Sequence, residues 1–227
     1  MRGCRGFVAV APEPCGDRAR ADDESRLEER LRVAQDLGFL GATPVAEQIL
    51  HSRAFVSLVP PGARFVDLGS GGGVPGLVVA CRRSDLTGVL LDATERRASF
   101  LDRAVRELRI DDRIEVALGR AESYGRDPGF RHSFDAVLAR SFGRPAVSAE
   151  CAAPLLQVGG VLLVSEPPDP SPTRWPPAAL AELGLARGRL VREAGATIQV
   201  LEQLSPCPEH WPRATGKPQR SPLWEAG

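Results

Sequence analysis

The stretch Phe65-Val66-Asp67-Leu68-Gly69-Ser70-Gly71-Gly72-Gly73-Val74-Pro75-Gly76 constrains this chain more than any other. A short apolar run leads straight into clustered glycines, and a helical pattern follows. Glycines at such a junction let the backbone turn sharply and let a ligand approach without a Cβ in the way. Further apolar runs at residues 88–91, 114–118, 134–139 and 161–164 predict strands. Helical periodicity lies between several of them, clearest over 95–108, where Phe100, Leu101, Ala104, Val105 and Leu108 share one face. Strands alternating with helices predict a parallel sheet with right-handed crossovers, a Rossmann-like α/β fold.

Gly71, Gly73 and Gly76 satisfy the spacing G-x-G-x-x-G, which by itself points only weakly to a dinucleotide. Two details favour S-adenosylmethionine (SAM) over NAD. Asp67 sits at the strand end, and a carboxylate suits a ligand carrying an ammonium and a sulfonium but repels a pyrophosphate. Pro75 removes an N–H from the helix start, where a pyrophosphate would want donors. Asp92 ends the second strand, where an acidic side chain can hydrogen-bond both ribose hydroxyls of either cofactor. Gly119-Arg120-Ala121-Glu122 follows the third strand. There Ala121 is expected to pack on the adenine and Glu122 to make a polar contact, although a carboxylate in that place also reads as plain surface. The expected fold is therefore that of a class I SAM-dependent methyltransferase.

An N-terminal helical extension precedes this unit. Leu27, Leu31 and Ala34 predict an amphipathic helix over 24–37, and a second is expected over 44–59, with Thr43 as N-cap and Pro44 in the first turn. Four segments are expected: a loose tail over 1–22, itself open to being the product of an upstream start; helices over 23–60; the SAM-binding domain over 61–205; and an irregular basic tail over 206–227. A closing hairpin is expected from 189–192 and 197–204, after the Pro-rich stretch 166–177. Formal net charge is zero, so a polyanionic partner must meet a local basic patch. The five cysteines, at 4, 15, 81, 151 and 207, are scattered and form no C-x-x-C. This predicts neither a disulfide framework nor a metal site, and fits a reducing cytoplasm. No apolar run reaches membrane-spanning length.

These residues resemble the RsmG (GidB) family, the 16S rRNA guanine-N7 methyltransferases. The resemblance covers roughly residues 63–165 and returns at 211–223. DLGSGGGVPG is similar to that family's glycine loop, LLDATERRASFLDRAVREL to its second strand and following helix, and GRAES to its adenine loop. FDAVLARSF resembles its fourth strand, and WPRATGKPQRSPL its C-terminal Pro-Arg-x-x-Gly pattern. The resemblance implies SAM-site roles for Gly69, Val74, Ala121, Glu122 and Arg140, alongside Asp67, Gly71, Gly73 and Asp92 from the residue reading. It implies 16S rRNA, or the 30S subunit, as substrate. The family's N-terminal Trp-Asn-x-x-x-Asn-Leu-Thr pattern is absent, and Ser165-Glu166-Pro167-Pro168 stands where a Lys-Gly is expected.

Guanine N7 has an in-plane lone pair and no proton, so methyl transfer to it needs alignment rather than an obligatory general base. No catalytic residue is assigned. Arg140 has two readings: a contact to SAM or the target guanine, or a salt bridge to Asp67 or Glu122. Phe142 either stacks on a base or packs inside. Arg213, Lys217 and Arg220 lie within eight residues among prolines and are expected to contact RNA phosphates, unless the tail is docked through Trp211, Leu223 and Trp224. A small-molecule methyltransferase and a non-catalytic RNA-binding protein retaining the fold stand as alternatives.

Overall fold

A computed structural model describes residues 15–225, with side chains from residue 22 onward. Five parallel strands form the centre: β1 (Arg64–Leu68), β2 (Thr87–Asp92), β3 (Ile114–Leu118), β4 (Phe134–Ala139) and β5 (Leu156–Glu166). The hairpin of β6 (Leu185–Glu193) and β7 (Ala196–Gln203) completes a seven-stranded sheet in the order β3-β2-β1-β4-β5-β7-β6. β7 runs antiparallel to β5. Strand order reverses between β1 and β4, and a crevice opens at the carboxyl ends of the strands there.

Each crossover carries a helix: α3 (Gly76–Arg82), α4 (Glu95–Glu107), α5 (Ala121–Tyr124), α6 (Pro145–Ala152) and α7 (Pro177–Glu182). The apolar spacing read in α4 is what it buries, since Phe100, Leu101, Ala104 and Val105 are all closed from solvent. β5 is longer than the apolar run 161–164, because the preceding residues from Leu156 also reach β4.

The N-terminal extension differs from expectation at its start. Helix α1 spans Cys15–Asp36, so part of the stretch expected as a loose tail is helical; residues 1–14 of that stretch lie outside the described residues. Leu27, Leu31 and Ala34 are buried, at the spacing read from the sequence. Helix α2 spans Val45–Leu58, with Pro44 itself at the cap. Both helices cover α3 and one face of the sheet.

The C-terminal segment is not a free tail. Arg131 donates to the carbonyls of Cys207 at 2.7 Å and Trp211 at 2.8 Å, and Arg126 to that of Pro212 at 2.7 Å. Arg213 then meets Glu150 of α6, with Nε to Oε1 at 2.9 Å and Nη2 to Oε2 at 2.6 Å. The Glu150 side chain is fully buried. Arg213 is thus withdrawn from the expected phosphate-binding set, because a buried carboxylate needs its charge compensated. One turn of helix, α8 (Lys217–Arg220), follows and leaves Lys217 and Arg220 exposed.

Arg213→Ala is expected to strand the Glu150 carboxylate and cost about 3–5 kcal/mol of stability, the range for breaking a buried pair from one side. Adding Glu150→Gln should recover part of that loss. Urea unfolding of the two variants checks this, and an unchanged midpoint for Arg213→Ala would show the pair to be dispensable.

Candidate functional site

The glycine loop is held from both sides by carboxylates at neighbouring strand ends. Asp67 of β1 is 1% exposed and accepts the Gly76 N–H at 3.0 Å. Asp92 of β2 accepts the Gly71 N–H at 2.9 Å through one oxygen and the Thr94 N–H at 2.8 Å through the other. Gly76 must be glycine, because a Cβ there would run into Leu90 and stand 2.6 Å from Asp67 Oδ2. Gly69, at φ +65°, takes a left-handed turn that L side chains resist, and a Cβ would lie 2.9 Å from the Phe142 ring. Phe142 therefore lies against the loop where it leaves β1.

Two adjoining cavities flank this loop. The first, about 360 Å³, has Gly69, Asp92, Ala121 and Glu122 among its walls, with Phe142 beside them and Gly216 from the C-terminal segment. The second, about 370 Å³, lies over Gly71 and Val74, with Arg140 on one side and Phe39 and Gln48 from the N-terminal extension. Gly69, Arg97 and Ser141 border both. Each cavity falls in the size range of small-molecule sites, roughly 300–1,000 Å³.

Seven of the nine residues expected at the cofactor thus line these cavities. Asp67 and Gly73 line neither. Asp67 lies beneath the loop with its carboxylate turned to Gly76, and Gly73 is buried against Leu77. The strand-end acid is committed to holding the helix start rather than facing a ligand. Burial raises the Asp67 carboxyl to about 7, against the Gly76 and Ser70 hydrogen bonds and the Arg140 charge, which lower it, while Asp92 adds a smaller upward push.

Glu122 is 8% exposed, not a surface acid, and accepts the Gly216 N–H at 2.8 Å. Arg140 forms no ion pair with Asp67 or Glu122 among the described residues. Its Nη2 reaches Gln48 Oε1 at 3.4 Å, and its Nη1 is buried with no hydrogen-bond partner among them. Burial lowers the Arg140 pKa, and the Asp67 charge works against that. An orphaned guanidinium N–H beside a cavity is a donor awaiting an acceptor.

These features fit SAM. Asp92 and Ala121 border the first cavity as a ribose and adenine site requires, and the unpaired Arg140 nitrogen sits by the second, where a carboxylate could meet it. Sequence reasoning missed Gln48, Ser141 and Gln219, which border the cavities. Gln48 sits on the buried face of α2, but its role depends on Arg140, 92 residues away. Among the described residues Ser141 is one of four non-glycine residues at positive φ, which no local sequence signal announces. Among the described residues no group of acidic, Cys or His side chains could hold a metal ion, and no helix is long and apolar enough to cross a membrane.

The family model described as rRNA small subunit methyltransferase G matches residues 43–166. A protein of Prochlorococcus marinus (strain NATL1A), named ribosomal RNA small subunit methyltransferase G, is 32% identical over 79% of this chain and 73% of its own length. One of the same name from Symbiobacterium thermophilum is 34% identical over 74% of this chain and 73% of its own. Among solved structures, an O-methyltransferase from Bacillus cereus in complex with SAH superposes with a TM-score of 0.55 at 19% identity, covering 78% of this chain and 90% of that one. A putative O-methyltransferase from Klebsiella pneumoniae gives 0.57 at 16%, over 79% and 90%. These two establish the fold as that of class I methyltransferases.

The Asp67 carboxyl yields a pH prediction. Its folded pKa of about 7 lies above the ordinary 3.8. The protein therefore has its full share of stability from this group below pH ~4, loses it as pH rises toward 7, and stays level above. Asp67→Asn should melt higher than the parent at pH 8, and the difference should shrink toward pH 4. A gap independent of pH would show that Asp67 does not titrate in this way.

Proposed function

This chain belongs to the GidB family, rRNA small subunit methyltransferase G, and we propose that it methylates N7 of a guanine in 16S rRNA, with SAM as donor and the 30S subunit or its RNA as substrate. The observation that carries this reading is the overlap of the family match with the cleft: residues 43–166 contain the glycine loop, Asp92, Ala121, Glu122 and Arg140.

SAM supplies an electrophilic methyl group on a positively charged sulfur. The guanine N7 lone pair forms the new N–C bond as the S–C bond breaks, and its electron pair stays on sulfur. The sulfonium becomes a neutral thioether, the positive charge passes to the purine, and no proton moves. The protein's part is to bind, align and exclude water. The carboxylates of the first cavity agree with this. Asp92 is held by Gly71 and Thr94, and Glu122 by Gly216, so both serve the site's architecture. Gly69 and Gly71 bring backbone close to the ligand, while Asp92 keeps lone pairs for the ribose.

We place the approach of the RNA on the surface beside α8. Lys217 and Arg220 stand exposed there, next to Gly216 at the cavity wall. They provide phosphate contacts without Arg213. The cytoplasm, where ribosomal subunits are made, is the compartment this activity requires.

Incubating the purified protein with labelled SAM and 30S subunits, naked 16S rRNA or small nucleophiles tests the activity. Label should enter 16S rRNA as 7-methylguanosine; label on small nucleophiles alone would reject the reading. Replacing Lys217 and Arg220 together by Gln should leave SAM affinity unchanged and weaken RNA binding. The slope of log affinity against log salt should become shallower by about 1.4–1.8, two phosphate contacts' worth. An unchanged slope would remove both residues from the RNA surface.

A further inference from the structure

Arg213 does more than neutralise Glu150. Its Nη2 also donates to the Ser221 carbonyl at 2.9 Å, so one guanidinium clasps both ends of the segment 213–221. The chain between those ends has two faces. Inward, Gly216 and Gln219 form part of the first cavity's wall, together with Asp92 and Ala121. Outward, Lys217 and Arg220 stand exposed on the single turn of α8. Among the described residues one side-chain hydrogen bond ties the inner face to the cavity, from the Gly216 N–H to Glu122 Oε1 at 2.8 Å.

Gly216 stands at φ +75°, in a region where glycine moves freely and L side chains do not. It is only half-buried, so its N–H has water as an alternative partner, and one hydrogen bond nets little against that. The bonds that shape α8 run through the same turn. Lys217 N–H donates to the Ala214 carbonyl at 2.8 Å, and Arg220 N–H to the Gly216 carbonyl at 3.2 Å. The direction of the Gly216 peptide therefore bears on how the two cations outside are presented.

Resting on the function proposed above, we propose that the segment 213–221 couples RNA binding on its outer face to cofactor binding on its inner face. Two arrangements of the Gly216 turn carry the coupling. With the Gly216 N–H on Glu122, the cavity wall is complete and the two cations stand together on one helical turn. With that N–H turned to solvent, the wall is displaced and α8 loosens. Pro218 is buried and stays so in both, so only the turn moves. Cofactor and RNA phosphates each select the first arrangement, and each therefore favours the other. Linkage requires the two effects to be equal. An enzyme built this way holds its cofactor most firmly when RNA lies beside α8.

S-adenosylhomocysteine (SAH) has no methyl group to transfer, so its affinity can be read beside RNA without turnover. Calorimetric titration of SAH into the full chain should give a Kd lower by about fivefold or more when 16S rRNA saturates the protein. RNA affinity should rise by the same factor when SAH is saturating. Glu122→Ala should bring both ratios to about one, whatever it does to SAH affinity by itself. Glu122→Gln keeps an oxygen that can accept the Gly216 N–H and should retain the coupling. Should Glu122→Ala fail to fold, replacing Lys217 and Arg220 together by Gln gives the second reading: RNA held at saturating concentration should no longer tighten SAH. Without RNA, SAH should slow amide hydrogen exchange over residues 214–220. Equal SAH affinity with and without bound RNA would overturn the coupling, as would exchange over 214–220 that is indifferent to SAH. A ratio undiminished in Glu122→Ala would overturn the Gly216 hydrogen bond as its carrier. Failure of 16S rRNA to bind the unaltered protein is a separate result, which overturns the function itself and this inference with it.

Discussion

Two parallel strands ending side by side in carboxylates hold the glycine loop, and the cleft exists because they do. Asp67 takes the Gly76 N–H and Asp92 takes those of Gly71 and Thr94, so the loop is pinned at its middle and its far end. Backbone donors at a helix start would otherwise need water or a ligand. Close packing of Gly76 on Leu90 and Asp67 then draws α3 against the sheet. Burying one of these acids entirely has a cost, visible in the raised Asp67 pKa, and the nearby Arg140 charge offsets part of it. The Arg140 charge that lowers the Asp67 pKa also borders the cavity over Gly71.

The C-terminal segment works as a second clamp, from the opposite face. Arg131 and Arg126 catch its carbonyls, Glu150 holds Arg213, and Glu122 holds the Gly216 N–H. Gly216 then becomes part of the first cavity's wall. Glu122 consequently belongs to two structures at once, cofactor cavity and C-terminal strap. Loosening the strap would alter the cavity without any change in the glycine loop, a coupling carried by one hydrogen bond of 2.8 Å.

Much of this architecture was legible in the sequence because it rests on local regularities. Strand runs, the α4 stripe, the glycine loop and the closing hairpin depend on spacing and turn chemistry, and each appears near its expected place. What was not legible depends on distant partners. Arg213 reads as one of three free cations until Glu150, 63 positions earlier, is seen to lie buried beneath it. Asp67 reads as a ligand-facing acid because its residue type suits SAM, and only the turn of the loop directs it to Gly76 instead. The helix from Cys15 extends beyond the Leu27–Leu31–Ala34 stripe, so the stripe could not mark its start.

The departure at Ser165-Glu166-Pro167-Pro168 has a structural consequence of its own. The Glu166 side chain is fully buried and accepts Arg174 Nε at 2.7 Å and Trp175 Nε1 at 2.5 Å. Trp175, 2% exposed, packs in a T-shaped pair with Trp224, whose Nε1 donates to the Arg174 carbonyl at 2.9 Å. The Pro-rich stretch is therefore tied down at both ends of one short network, and the prolines lower the entropy lost in ordering it. A lysine at 166 would place an ammonium against two donors and could not support this arrangement. Glu166 thus anchors the loop that follows β5 to the C-terminal strap, while its backbone neighbour Ser165 borders a third cavity, between α2, the end of β5 and the start of β7. In this chain the wall of that cavity and the strap over the cofactor cleft share one buried carboxylate.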